Sequence, residues 1–484
     1  MQRPDPAPRP RRRGRRARRA ALAVPGLLTA LLAGLAPAPS VATAPPFGSE
    51  GIGDPYFPLD GNGGIDVRRY EIHDSYDMAD RRLSGWTRLT LRATETLSGF
   101  QLDFLLPVRE VMVDGRRVDW SRPNAHEIGI PAALQAGSSY DVVVSYAGRP
   151  GAESWDGEWN WLASDTEVVA INQPHMAAWW FPADDHPRDK ALMDFHITAP
   201  RDLDVIANGR RVSRTVHRDR ATTHWRAAEP MAPYLAFFAA GHFEVRQGLA
   251  HGIPWLVAVS RGLPRDARAR SMRLMRRTPG IVHWLQHDLG RYPFSTTGGL
   301  TTSLSPGFAL ENQTRPTYPR LAPGSVSTVV HELAHQWFGD SVSVQDWRDI
   351  WLNEGAATFM EQRYAETHGG PSAQTWLLKT YNEYADGTSF WNLDLADPGP
   401  GHLFDWPVYE RGAMALQALR HRIGTADFGR LLRRWLSDHR GGNGSTGEFT
   451  ALAEEVSGQD LAGFFQAWLS DPGRPARTAE NGLG

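Results

Sequence analysis

The stretch Val329–Asp340 reads VVHELAHQWFGD. Its Val, Leu, Ala, Trp and Phe suit the buried face of a helix, yet it places two His and one Glu within five positions. A buried polar group without a partner costs roughly 1 to 3 kcal/mol, so three close together demand compensation. A metal ion would supply it; the bland alternative is a pair of core histidines satisfied by hydrogen bonds. Ser325 or Ser327 can cap a helix start and Gly339 can stop it, which predicts a helix over 328–337. His331 and His335 then stand four apart on one face, the spacing at which two imidazoles reach one ion, and Glu332 points to its side.

Downstream, DIWLNEGAATFMEQRYAETHGG is a second helical pattern, with Glu354 nineteen residues after His335. Two helices joined by FGDSVSVQDWRD can pack so that this carboxylate meets the two imidazoles. Two nitrogens and one oxygen leave the fourth position of a tetrahedral zinc open, the arrangement of a catalytic site. One Zn2+ per chain is expected, held by His331, His335 and Glu354. Zinc lowers the pKa of a bound water to about 7, and a nearby carboxylate can take its proton and pass it to a leaving amine; Glu332 fits that role. Glu361, seven residues after Glu354 and on the same helix face, either orients a ligand imidazole or is an ordinary solvated Glu.

The whole chain frames this site. Its 484 residues, 41% hydrophobic and 22% charged, are ordinary for a soluble protein of two or three domains. At the N-terminus RPRRRGRRARRA precedes the apolar ALAVPGLLTALLAGLAP and then the small residues around Ala42–Ala44. That order predicts a secretory signal peptide over 1–44, cleaved near Ala44, by the general or the twin-Arg route. The apolar run, interrupted by Pro25 and Gly26, is short for a bilayer span of about 20 residues, so no stable membrane anchor is expected. Losing nine Arg and one Asp with that segment leaves 43 basic and 53 acidic side chains, a formal charge of −10. Such a chain is a poor candidate for nucleic-acid binding. There is no Cys, which excludes disulfides and thiolate metal sites.

From about Tyr70 to Val245 short runs such as TRLTLRA, YDVVVSYAG and LDVIANGRRV alternate with turn signals, many of them Asp-Gly or Asn-Gly pairs. These predict strands of an antiparallel sandwich or saddle-shaped sheet. After Gly252 longer segments of helical period take over. The expected class is α+β, with a β domain over 45–246, a mostly helical catalytic domain over 247–470, and a frayed tail over 471–484 rich in Pro and Gly.

The residues HELAH and LNEGAATF resemble the zinc motif of the gluzincin aminopeptidases, the family of aminopeptidase N and the leukotriene hydrolase. The resemblance extends through INQPHMAAWWFPADDHPRDKALMDFHITAP and YLAFFAAGHFE in the first domain, and so covers nearly all of the chain after the signal segment. It implies a saddle-like β domain followed by a thermolysin-like zinc peptidase domain. GFALENQTRPTY is similar to the family's G-A-M-E-N loop at Ala309, Glu311 and Asn312, with Leu310 in place of Met and Phe308 in place of Gly. By resemblance, Glu311 binds the free α-amine of a peptide, assisted by Gln173, and PVYERGAMALQALR places Tyr409 where the family has a phenol that donates to the oxyanion. Many members carry a further helical domain after the catalytic one; here the sequence ends soon after FFQAWLSDPGRP, which implies a more open far end of the site.

The reading is therefore a secreted zinc aminopeptidase acting on peptides with a free N-terminus, expected to be a monomer. Two alternatives are a zinc endopeptidase or other hydrolase on the same site, and a non-catalytic protein using WDGEWNWL and AAWWF among its 18 Trp as a sugar-binding platform.

Overall fold

In the strand Ile65–Asp77 buried and half-exposed residues alternate for most of its length, the period-two signature of a sheet packed on one face. This computed structural model describes residues 44–484, so the expected signal segment lies outside the described residues except for Ala44. Ile65–Asp77 pairs antiparallel with Arg82–Ala93 and parallel with Ala191–Pro200 at the centre of an eight-stranded sheet. Asp114-Gly115, both at positive φ, turns Val108–Val113 back onto Arg116–Val118 as an Asp-Gly hairpin should.

Asn208-Gly209 behaves differently from that hairpin expectation. The strand before it, Asp204–Ala207, joins a smaller four-stranded sheet, and the strand after it, Arg210–His217, edges the large one. A β-carbon at Gly209 would lie 1.9 Å from the Arg226 carbonyl, so the crossing requires glycine. Between the two sheets lies Trp180, its ring 6.0 Å from Phe195 of the large sheet and 5.2 Å from Phe238 of the small one. Trp179 and Trp180 are fully buried. AAWWF is therefore core, which removes half of the supposed sugar platform; in WDGEWNWL, Trp161 is also buried and Trp155 half-buried, and Trp159 alone is exposed.

Residue 247, where the composition changes, falls inside the strand Phe243–Ala250. That strand pairs with Ile253–Ser260, which continues in parallel to Thr297–Thr301 and then Thr317–Tyr318. Beyond this sheet the chain is mostly helical, and residues Pro45–Gly484 form one unit. No helix among the described residues is long and apolar enough to cross a membrane. The segment 471–484, expected to fray, is instead held in place. Tyr381 donates its hydroxyl to the Pro475 carbonyl at 2.6 Å, Trp468 donates Nε1–H to the Asn481 carbonyl at 3.1 Å, and Leu483 is buried. Pro and Gly there end the helix without ending the packing.

Arg188 and Lys190 tie the β half to the helical half. Lys190 Nζ donates to the carbonyls of Asp340, Ser341 and Gly442 at 3.0, 3.1 and 2.7 Å, and Arg188 pairs with Asp346 and donates to the Gln345 carbonyl. Burial pushes the Lys190 amine down to about 7. Replacing Lys190 by Met should orphan the Asp340 carbonyl just after the histidine pair and strip one donor from the Ser341 and Gly442 carbonyls, which also accept from the Gly441 and Ser343 N–H groups, at roughly 1 to 3 kcal/mol for the buried acceptor left unpaired. Thermal unfolding should show a midpoint lower by several degrees; an unchanged midpoint would mean that these carbonyls do not depend on the lysine.

Candidate metal centre and active site

The histidine helix runs over Val326–Ala334, buries Val329, Val330 and Leu333, and closes on His335, with Gly339 at φ +118° ending the turn that follows. Ser325 is its N-cap residue, but the Ser325 hydroxyl accepts from the Ala322 N–H rather than from the helix. The second helix covers Trp351–Thr367 and is buried along its first ten residues, which sets Glu354 in the interior. His331 Nε2 and His335 Nε2 lie 3.2 and 3.3 Å from the same Glu354 oxygen.

These contacts test whether a metal fits. His331 Nδ1 is 2.8 Å from Glu361 Oε1, and His335 Nδ1 is 3.0 Å from the Phe338 carbonyl. If each Nδ1–H donates to its acceptor, each Nε2 turns a lone pair toward the Glu354 oxygen, and three electron-rich atoms converge with no proton between them. A cation resolves that convergence. Ligands about 2.0 to 2.2 Å from a tetrahedral zinc stand about 3.3 to 3.6 Å apart, close to the spacings observed. Burial works to raise the Glu354 carboxyl, but His335 and His331 outweigh it and hold it down to about 2. Glu361 is thus an acceptor for a ligand imidazole, the more specific of its two readings.

Glu332 is buried beside this centre. Burial pushes its carboxyl up to about 8, against the pull of both imidazoles and with the push of Glu311 and Glu354. Glu332, Glu311 and His335 each bring one ligand-type atom within 4.8 Å of the others. Glu311 is itself buried; its Oε1 accepts from Gln173 Nε2 at 3.0 Å and from the Tyr234 hydroxyl at 3.2 Å. Burial first, then Glu354, raises this carboxyl, while His335 opposes. Tyr409, from the helix Trp406–Ile423, stacks on His331 with centroids 6.0 Å apart. Burial and the carboxylates Glu354, Glu311 and Glu332 keep its phenol protonated, well above its usual range. These groups line one cavity of about 390 Å³, together with Gln173, Phe308 and Ala309.

Asn312 does not line that cavity. It is fully buried and donates Nδ2–H to the Leu235 carbonyl at 3.1 Å. With Asn208, whose Nδ2 donates to the Leu235 and Gln313 carbonyls, it fastens the Glu311 loop to the β half. Gln336 was not singled out by the sequence, yet it clamps the same loop to the end of the histidine helix. Its Nε2 donates to the Glu311 carbonyl at 3.0 Å, and its Oε1 accepts from the Thr314 N–H at 2.7 Å. Tyr234 was missed as well, although it opens the segment YLAFFAAGHFE. A tyrosine that starts a strand carries no sequence signal that its hydroxyl will meet a carboxylate 77 positions away.

Residues 308–468 match the model of the peptidase family M1 domain. The crystal structure of an M1 zinc metallopeptidase from Deinococcus radiodurans superposes with a TM-score of 0.77 at 28% identity, covering 88% of this chain and 99% of that one. The chain carries a peptidase family M1 domain over residues 308–468. A mutant of the Deinococcus radiodurans enzyme bound to a Tyr-Ser-Ala substrate is similar to the same degree, with a TM-score of 0.77 and 28% identity over 88% of this chain and 100% of that one. Leucyl aminopeptidase of Saccharolobus solfataricus is 23% identical over 436 residues, 85% of this chain and 54% of its own length. Aminopeptidase N of Lactococcus lactis is 37% identical over 166 residues, 32% of this chain and 20% of its own. The chain spans about half the length, or less, of these curated relatives.

Two substitutions separate metal binding from geometry. Glu361→Gln should weaken zinc retention by about 10- to 100-fold in a chelator competition while the fold persists; unchanged retention would return Glu361 to a solvated role. Gly355 and Gly412 bring the second and third helices into backbone contact, a β-carbon on Gly412 lying 3.0 Å from the Gly355 Cα. Gly412→Ala should push the Tyr409 helix outward and lower kcat by about 100-fold, the cost of a displacement near 1 Å, with metal content unchanged. Normal turnover in that variant would show that the Tyr409 position tolerates the shift.

Proposed function

We propose that this chain is a secreted zinc aminopeptidase of the M1 family that hydrolyses the N-terminal bond of peptides bearing a free α-amine. The observation that carries the reading is the nearness of the Glu311 carboxylate to Glu332. In a peptide the α-nitrogen stands about 2.5 Å from the carbonyl carbon of the same residue, two bonds away. A buried carboxylate within 4.8 Å of the group acting on that carbonyl therefore has room for the amine of the residue being released and for little beyond it. An ammonium there meets a desolvated anion flanked by Gln173 and Tyr234, and an internal peptide bond has no such cation to offer.

When bound by His331, His335 and Glu354, zinc supplies Lewis acidity, polarising the carbonyl and making water acidic enough to ionise near neutral pH. Glu332 accepts the proton of the attacking water and returns it to the departing amine nitrogen. The raised affinity of this carboxyl for a proton, which its burial produces, suits both halves of that transfer. The Tyr409 hydroxyl donates to the oxygen that becomes negative as the carbonyl carbon turns tetrahedral; such a contact is worth about 2.7 to 4 kcal/mol. Ala309 and Phe308 line the approach to the amine pocket.

A screen of the purified chain against chromogenic aminoacyl amides tests the reading. Free-amine substrates should be cleaved and the cleavage abolished by a chelator, while N-acetylated forms resist. Cleavage of blocked peptides only would instead establish an endopeptidase. Glu332→Gln should keep fold and metal while kcat falls by about 10²- to 10⁴-fold, and unchanged turnover would refute the base assignment. Glu311→Gln should lower kcat/KM for free-amine substrates by about 100-fold or more and narrow the preference over blocked ones; an intact preference would remove Glu311 from amine binding. Export predicts that the protein accumulates in the medium with a mature N-terminus near residue 45, whereas retention in the cell with residues 1–44 attached would contradict it.

A further inference from the structure

The strands Phe100–Asp103 and Glu127–Ile130 pair antiparallel with Asp103 directly opposite Glu127. Like charges facing across a strand pair are destabilising, and both carboxyls are fully buried. Among the described residues no Lys or Arg pairs with either. Each acid has one oxygen employed. Asp103 Oδ2 accepts from the backbone N–H of Gly61 at 3.1 Å and of Asp185 at 2.6 Å, and Glu127 Oε2 accepts from Asn62 Nδ2 at 3.1 Å. The other oxygens, Asp103 Oδ1 and Glu127 Oε1, have no hydrogen-bond partner.

His126 completes the group. It is 1% exposed, and its Nδ1 lies 3.3 Å from Asp103 Oδ1 and 3.4 Å from Glu127 Oε1. Neither ring nitrogen makes a hydrogen bond, and the ring is held by stacking on Trp155 at 4.5 Å. Two carboxylates and an imidazole thus present one donor atom each within 4.8 Å of one another. A proton shared between the two acids would relieve their repulsion but would leave His126 unpartnered.

We propose that Asp103, His126 and Glu127 hold a second divalent transition-metal ion, zinc foremost, in the β half of the chain. The spacings of 3.3 and 3.4 Å match the separation of about 3.3 to 3.6 Å between ligands of one tetrahedral zinc. Two carboxylates balance a divalent charge, and a nitrogen donor favours zinc or its neighbours over calcium or magnesium, which take oxygen. The ion would be structural. It would join the strand pair to Gly61 and Asn62 and to Asp185, at the head of the run that ends in Arg188 and Lys190, the link to the catalytic half.

Elemental analysis of the purified full-length chain, dialysed against zinc and then against metal-free buffer, tests this directly. Two ions per chain are expected, one remaining in a variant that removes the first centre (His331→Ala with Glu354→Gln), and one remaining in His126→Gln. Thermal unfolding of His126→Gln should start at a lower temperature than that of the parent, with chelator-sensitive peptidase turnover retained. No more than one ion in the parent chain overturns the proposal, as does a first-centre variant that holds none or a His126→Gln chain that keeps two. Should His126→Gln fail to fold, the count in the first-centre variant decides alone.

Discussion

Two imidazole nitrogens and a carboxylate oxygen meet at one point in the interior, and the remainder of the active region is arranged around that convergence. Left without a cation, His331, His335 and Glu354 would be three desolvated polar groups, with two lone pairs turned toward an anion if Glu361 and the Phe338 carbonyl take the Nδ1 protons. A divalent ion converts the same atoms from a burden of several kcal/mol into a cross-link between two helices. The opposite acceptors keep each ring turned the right way, so the centre is preformed in the fold.

A second constraint is the placement of Glu311. A carboxylate that reads the end of a peptide must be fixed to within a fraction of an ångström relative to the metal ligands, although it sits on a loop. The fold meets this by tying the loop on both sides. Gln336 grips its backbone from the histidine helix, and Asn208 and Asn312 bind it to the β half. Arg315, fully buried, adds donors to the Ala207 and Gly209 carbonyls. The β half therefore contributes Gln173 to the wall of the cavity and backs Glu311 with the buried Tyr234 hydroxyl, so its packing against the helices helps to shape the site.

The sequence showed much of this because spacing along a helix translates directly into direction. HELAH, the distant Glu354 and the seven-residue step to Glu361 are all helical offsets, and the structure brings those side chains together. The alternation of strands and the later helices were equally readable. What stayed hidden depends on contacts between distant segments. Tyr234, Gln336 and Lys190 do their work by meeting partners that no local pattern announces. The Asn208-Gly209 turn looked like a hairpin and instead passes the chain between two sheets, since a turn signal states that the chain bends and not where it goes. The tail differs from its expectation for a related reason: composition measures the loss of helix, whereas the contacts that hold 471–484 come from Tyr381 and Trp468 on other segments.

The convergence of His331, His335 and Glu354 calls for one divalent ion among them. Crystals of the purified chain, measured at the zinc absorption edge, address it most directly through the anomalous difference map. A peak is expected about 2.0 to 2.2 Å from His331 Nε2, His335 Nε2 and a Glu354 oxygen, with Glu332 beside it and outside its coordination. A map featureless at that point in active protein, or Glu354 turned away from the histidine pair, would contradict it.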